Sequence, residues 1–294
     1  MSSARHGRVA GWITATLFAL IALTGCASHS HSRPGLLGNV EGSGALTLRA
    51  QLDALHNDPA PADARRVIFV GAALNGREDV FDRDIRLLDA TLRGVYGDAA
   101  RSVLLSNVRV FEGQRSLPLA TIEHLDQVFE ALQKQRRAGD RYVLLLSTHG
   151  TPGMLEVEQA ARYQQSRLLV TAKLRAWLQQ LSPRPTWLVI SACFAGSHLG
   201  RQAPAHVITM AAAAADRPSF GCSNTERNTW FVEALDNALK AAPLAGAASF
   251  DAVWQRTTEQ ISRREAEGRF QPSLPQWQSG AAMQDKRRAP VADF

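Results

Sequence analysis

From about residue 65 onward, short continuous runs of apolar residues alternate with longer stretches in which apolar positions recur every three or four residues. The runs are Arg65–Gly71 (RRVIFVG), Ser102–Ser106 (SVLLS), Tyr142–Ser147 (YVLLLS), Thr186–Ser191 (TWLVIS) and His206–Ala212 (HVITMAA). None alternates apolar with polar, and charge or small residues bound each of them, which predicts strands buried on both faces. Between them, Phe81, Ile85, Leu88, Leu92 and Val95 follow steps of four, three, four and three, the spacing of one helix face. Ile122, Leu125, Phe129 and Leu132 mark a second helix, and Leu174, Leu178 and Leu181 a third, with Thr171 as its N-cap. Two more helical stretches cover Phe231–Lys240 and Phe250–Glu265, and Pro275–Met283 (PQWQSGAAM) reads as an edge strand. This order predicts one α/β domain over residues 65–285, a mostly parallel central sheet flanked by helices. Residues 286–294 carry no such pattern and are expected to form a disordered tail.

The first 64 residues read differently. Arg5 and Arg8 precede an apolar stretch of 15 residues, Gly11–Gly25, short for a membrane span and shaped like a secretory signal. It ends in Leu23-Thr24-Gly25-Cys26, which resembles a bacterial lipobox, in which the cysteine becomes the lipidated N-terminus. The expectation is a lipoprotein signal over residues 1–25 and a lipid on Cys26 that holds the protein at a bacterial envelope. Ala27 favours the outer membrane, facing the periplasm, in a Gram-negative host. A plain cleaved signal, or an uncleaved anchor with Cys26 incidental, is the alternative. Residues 26–64 are rich in Ser, His, Gly, Pro and Ala, with one helical pattern at Leu46–Leu55, and read as a flexible tether. His29 and His31 fit that tether better than a metal site.

Composition changes this picture little. Hydrophobic residues make up 45% and charged residues 20%, which suits a folded chain. The formal charge of +6 becomes +4 once Arg5 and Arg8 leave with the signal, and no basic patch interleaved with aromatics is present, so nucleic acid is not an expected partner. With Cys26 acylated, Cys193 and Cys222 are the remaining cysteines; a single bridge between them stays open. There is no Gly-x-Ser-x-Gly elbow, phosphate-binding glycine loop or dense metal-ligand cluster in the domain, and no cofactor or metal is expected.

The chemistry is suggested by two strand ends of the same shape, Leu-Leu-Leu-Ser-Thr-His149-Gly and Leu-Val-Ile-Ser-Ala-Cys193-Phe. Ligand sites of parallel sheets form at the carboxyl ends of strands. His149 lies three residues past Leu146 and Cys193 three past Ile190, so neighbouring strands would put both on one rim. A thiolate attacking a carbonyl, with an imidazole protonating the leaving amine, is cysteine nucleophilic catalysis. The amides of Gly150 and Cys193 are placed to stabilise an oxyanion.

The segments STHGTPGML and ISACFAGSHL, with VITMAAAAADRPSFGCSNTERNTWF after them, resemble the His-Gly and Ala-Cys motifs of the legumain-type cysteine peptidases, peptidase family C13. The resemblance runs from about Val67 to Gly280. It implies a caspase-like three-layer α/β sandwich, Cys193 as nucleophile, His149 as general acid/base, and a peptide or protein as substrate. Asn75, in AALNGRED, resembles the asparagine that orients the histidine; an Asn-Gly turn is the equal alternative. Ser191 stands where legumains carry a substrate-recognising carboxylate, and Ser219 falls near their specificity pocket. Neither Arg77 nor Arg83 occupies the expected context of the pocket arginine, so asparaginyl specificity is not implied. Cys222 matches a cysteine that is not catalytic. The activity implied is that of an envelope endopeptidase. A transpeptidase using the same pair, and an inactive caspase-like lipoprotein that binds peptide or envelope partners, are the alternatives.

Overall fold

A computed structural model of the chain describes residues 47–108, 117–159, 166–241 and 247–294. Residues 1–46, which include the expected signal and Cys26, lie outside the described residues. Six strands form the main sheet: β1 (Arg66–Ala73), β2 (Ala100–Ser106), β3 (Asp140–Ser147), β7 (Thr186–Ser191), β8 (Val207–Ala211) and β9 (Gln276–Ser279). Their order is β2-β1-β3-β7-β8-β9, parallel throughout except for β9, which pairs antiparallel with β8 at the edge.

The continuous apolar runs divide their side chains between two cores, because successive residues of a strand point to opposite faces. On one face, Ile68, Val70 and Ala72 of β1, Leu144 and Leu146 of β3, and Leu188 and Ile190 of β7 pack under a helix at residues 47–56 (α1), α3 (Ile122–Gln135) and α4 (Thr171–Leu181). On the other, Val67, Phe69, Val143, Leu145, Trp187 and Val189 pack under α2 (Val80–Tyr96), α5 (Trp230–Lys240) and α6 (Phe250–Glu267). The result is the expected three-layer α/β sandwich with a mostly parallel sheet.

Four features differ from the sequence reading. A second sheet of three short antiparallel strands, β4 (Gly150–Thr151), β5 (Met154–Val157) and β6 (Arg167–Val170), grows directly from His149. Strands of two and four residues carry too little periodicity to be read in advance. Thr171 is the first helical residue of α4 rather than its cap; Val170 occupies the N-cap position without a side-chain hydrogen bond, and the Thr171 hydroxyl is within hydrogen-bond reach of Gly153 O and His198 Nδ1.

The assigned tether also contributes to the folded domain. Leu48 and Leu55 of α1 are buried in the core, and Asp58 is buried beside Arg66 and Arg101. The amphipathic pattern at Leu46–Leu55 therefore belongs to the domain, which starts near residue 47 rather than 65. The tail is ordered as well: Val291 and Phe294 are buried, Phe294 meets Phe250 edge to face at 5.5 Å, and Tyr96 Oη donates to Val291 O at 3.0 Å. Two apolar side chains spaced three apart suffice to dock a segment too short to show a pattern.

Candidate active site

β3 and β7 are neighbours, and their register pairs Leu146 with Ile190 and Ser147 with Ser191. His149 and Cys193 each follow two residues beyond that last pair, so the equal offsets seen in the sequence become one shared rim. The Thr148 amide donates to Ser191 O at 3.1 Å and carries the pairing one step past the strands. Gly150 sits against the nucleophile loop: a Cβ there would lie 2.4 Å from Cys193 O, so a side chain would force the two segments apart.

The Cys193 thiol is half-buried among groups that favour its anion. The Ser219 amide donates to Sγ at 3.3 Å and the Ser219 hydroxyl lies 3.8 Å away. The neighbouring Cys222 thiol, as a donor to the anion, is the largest cause that lowers the Cys193 pKa to about 6, against the opposing effect of burial. Both cysteines are free thiols, and the same interaction, with burial, pushes the Cys222 thiol up. Phe194, next to the nucleophile, adopts a left-handed φ of 56°, and its amide donates to Arg217 O at 2.8 Å. These contacts lock the turn that follows the strand.

The histidine is held from the α2 side. His149 Nε2 lies 3.2 Å from Glu78 Oε2, and Phe81 meets the ring edge to face at 5.1 Å. Among the described residues no hydrogen bond joins Asn75 to the imidazole. Asn75 Nδ2 donates to Glu156 at 3.0 Å, its Oδ1 accepts the Arg77 amide at 2.8 Å, and Asn75 pairs with Glu158 in a β-bridge. The Asn75 side chain thus serves the backbone two residues on and the strand beside it, and the carboxylate at the histidine comes from Glu78. Arg77 pairs with Glu158 at 2.5 Å, and Arg83 donates to Arg227 O and Glu226 O.

Ser191 is not on the cleft surface. It is 2% exposed, and its hydroxyl is bonded to Thr229 Oγ1 at 2.8 Å. A strand residue two positions before Cys193 points into the core here, as its partner Ser147 does, and it has no path to a substrate. Both serines lead to Asp84, a fully buried carboxylate that accepts Ser147 Oγ, Thr229 Oγ1, the Thr229 amide and Asn228 Nδ2 at 2.7–3.0 Å. Burial raises its pKa to about 6, while those four donors oppose the rise. Asp84 thus ties β3, α2 and the start of α5 together two residues below the histidine. A sequence signal for it existed: in the stripe of Phe81, Ile85 and Leu88 it occupies a core-facing step. Glu78 carried no comparable signal, because only the fold brings residue 78 to residue 149.

Among the described residues, no group of three or more His, Cys, Asp or Glu side chains is arranged to hold a metal ion, and no helix is long and apolar enough to cross a membrane.

A parallel-centred sandwich with a histidine and a thiol on one rim defines a caspase-like α/β protein. The crystal structure of Caspase-1 from Spodoptera frugiperda superposes with a TM-score of 0.50 at 15% identity, over 74% of this chain and 87% of that one. The Peptidase C13 family profile matches residues 126–285, a span that includes both His149 and Cys193. The chain belongs to the peptidase C13 family. No curated protein matches it. Family and fold together support a function of the cysteine peptidase type.

Proposed function

We propose that this protein is an endopeptidase that cleaves peptide bonds with a Cys193 thiolate and His149, tethered to a bacterial envelope by a lipid on Cys26. The observation that carries the reading is the shared rim: a thiol surrounded by donors that lower its pKa, beside a histidine on the adjacent parallel strand. The thiol proton passes to Nδ1 of His149 as the Cys193 sulfur attacks the scissile carbonyl carbon, forming a C–S bond and an oxyanion for which the amides of Gly150 and Cys193 are the assigned donors. With Nε2 of His149 turned to Glu78, Nδ1 is the nitrogen available to protonate the leaving amine as the C–N bond breaks. Water then attacks the thioester, His149 takes its proton, and the carboxylic acid leaves the restored thiol.

In this reading Glu78 is the positioning residue for the imidazole, and Ser219 the residue that lines the cleft beside the thiol. The lipobox-like Leu23-Thr24-Gly25-Cys26 supports the anchor and an envelope location. Detergent-solubilised full-length protein and its Cys193→Ala variant, each incubated with a diverse peptide library and read by mass spectrometry, test the activity. Cleavage by the first and not the second is the expected result, and the cut sites give the preferred residue. No cleavage by either, with or without reductant, would replace the peptidase by a peptide-binding member of the same fold. Ligated products in place of hydrolysed ones would make it a transpeptidase.

A further inference from the structure

On the face of the sheet covered by α4, away from the thiol, a cleft of about 570 Å³ opens between α4, the loop 199–204 and the edge strand β9. That volume is in the range that holds small organic ligands or a peptide side chain with its backbone. Its polar lining is one-sided in charge. Arg175 and Arg201 line it, with Gln179, Gln202 and Gln278, and no carboxylate does. Among the described residues neither arginine has an ion-pair partner, whereas Arg66, Arg83, Arg86, Arg93, Arg101 and Arg264 all do.

A second, independent observation sits in the same lining. His198 is 7% exposed, and its Nε2 is buried with no hydrogen-bond partner among the described residues. Its other nitrogen, Nδ1, lies 2.9 Å from Thr171 Oγ1. The Thr171 hydroxyl has two acceptors in reach, Gly153 O at 3.2 Å, which already accepts the Thr171 amide at 3.1 Å, and Nδ1 at the shorter 2.9 Å, to which we assign its proton. That arrangement places the ring proton on Nε2 and makes it a donor without an acceptor. Burial and the nearby Arg175 hold the His198 pKa down to about 4, so the ring is neutral near pH 7 and the positive charge of the cleft is that of its arginines. A buried N–H with no acceptor is destabilising, and an incoming acceptor relieves it. The Arg175 guanidinium lies against the loop at Gly200, where a Cβ would stand 2.9 Å from its Nη2. Gln278 Nε2 fixes that loop by donating to Gly200 O at 2.9 Å.

We propose that this cleft is an oxyanion-binding site, in which Arg175 and Arg201 hold a carboxylate or phosphate group and His198 Nε2–H donates to it. It stands independently of the reading of Cys193. The site is separate from the thiol but connected to its loop, since His198 bonds Thr171, the Gly153 amide donates to Ser197 Oγ at 2.7 Å, and Ser197 Oγ donates to Phe194 O at 2.6 Å.

The test titrates full-length protein with inorganic phosphate and, separately, with triglutamate, by calorimetry and by 15N-histidine NMR. We expect binding of at least one probe, a shift of the His198 Nε2 resonance on saturation, and at least a tenfold loss of affinity in the Arg175→Gln/Arg201→Gln double variant. Phosphate binding would identify a free or esterified phosphate as the source, and triglutamate binding alone an acidic peptide. Both arginines are exposed, so the double variant should keep the wild-type melting temperature without probe; His198→Gln provides the same comparison from the opposite side of the cleft. No heat and no shift with either probe at millimolar concentration, or equal affinity in wild type and double variant, would overturn the assignment.

Discussion

Two residues decide how reactive the thiol at position 193 is, and neither is its own neighbour in sequence. The Cys222 thiol and the Ser219 amide each stabilise the Cys193 anion, and together they outweigh the burial that opposes it. Alkylation of Cys193 by iodoacetamide, followed by mass spectrometry across pH, should therefore rise through a midpoint near 6 rather than near the ordinary thiol value. The group is in its reactive form above that midpoint and protonated below it. Cys222→Ala removes the largest contribution and should move the midpoint upward; an unchanged midpoint would leave Ser219 and His149 as the cause. The histidine gives a second residue-scale expectation. Glu78→Gln should lower kcat about 10- to 100-fold by loosening the imidazole, a fraction of what acid–base catalysis contributes, with KM little changed. Asn75→Ala should leave kcat near wild type, because its amide serves Glu156 and the Arg77 backbone instead. The reverse ranking of the two variants in a peptide-cleavage assay would restore the asparagine to the role that the family resemblance implied.

At the scale of elements, α1 is fastened to the sheet by one buried cation. Arg66 bonds Asp140 through Nε at 2.8 Å and Nη2 at 3.0 Å, and its Nη1 donates to Leu55 O at 3.0 Å and reaches Asp58 at 3.4 Å. Arg101 holds the same Asp58 at 2.6 Å, and the two guanidinium groups keep that carboxyl far below the usual range. Arg66→Ala would leave Asp140 buried without its counter-charge, and loss of one member of such a pair costs about 3–5 kcal/mol. Urea unfolding followed by circular dichroism should show that loss as a lower midpoint with the slope retained. A chain begun at Arg65 would lose α1 and Asp58 together. It would expose the apolar surface that Leu48 and Leu55 cover, and should be less soluble than one begun before residue 47.

At the scale of the whole molecule, the last four residues close the α2–α6 face. Val291 donates its amide to Ala248 O at 2.9 Å and Phe294 caps Phe250. Deleting Val291–Phe294 should cost about 3 kcal/mol, the scale of one large apolar side chain with its neighbours uncovered. Differential scanning calorimetry would read it as a lower melting temperature, and no change would mean that the tail lies on the fold without supporting it.

The chain's own pattern carried the six strands of the main sheet, the five larger helices, their mostly parallel pairing and the two strand ends where His149 and Cys193 stand. Those follow from local periodicity and from the rule that successive strand residues face opposite sides, so a linear reading suffices. It failed where the decisive contact joins distant positions. Glu78 meets His149 only because α2 follows β1 back across the sheet. Cys222 meets Cys193 only because the segment after β8 returns over β7. Ser191 carries the same side chain whether it faces a substrate or the core, and the choice is made by Asp84 and Thr229 waiting beneath it. The sequence by itself determined the scaffold and the two reactive groups. The tertiary structure alone decided their partners, since hydrogen bonds and charge interactions act over a few ångströms of space regardless of the length of chain between them.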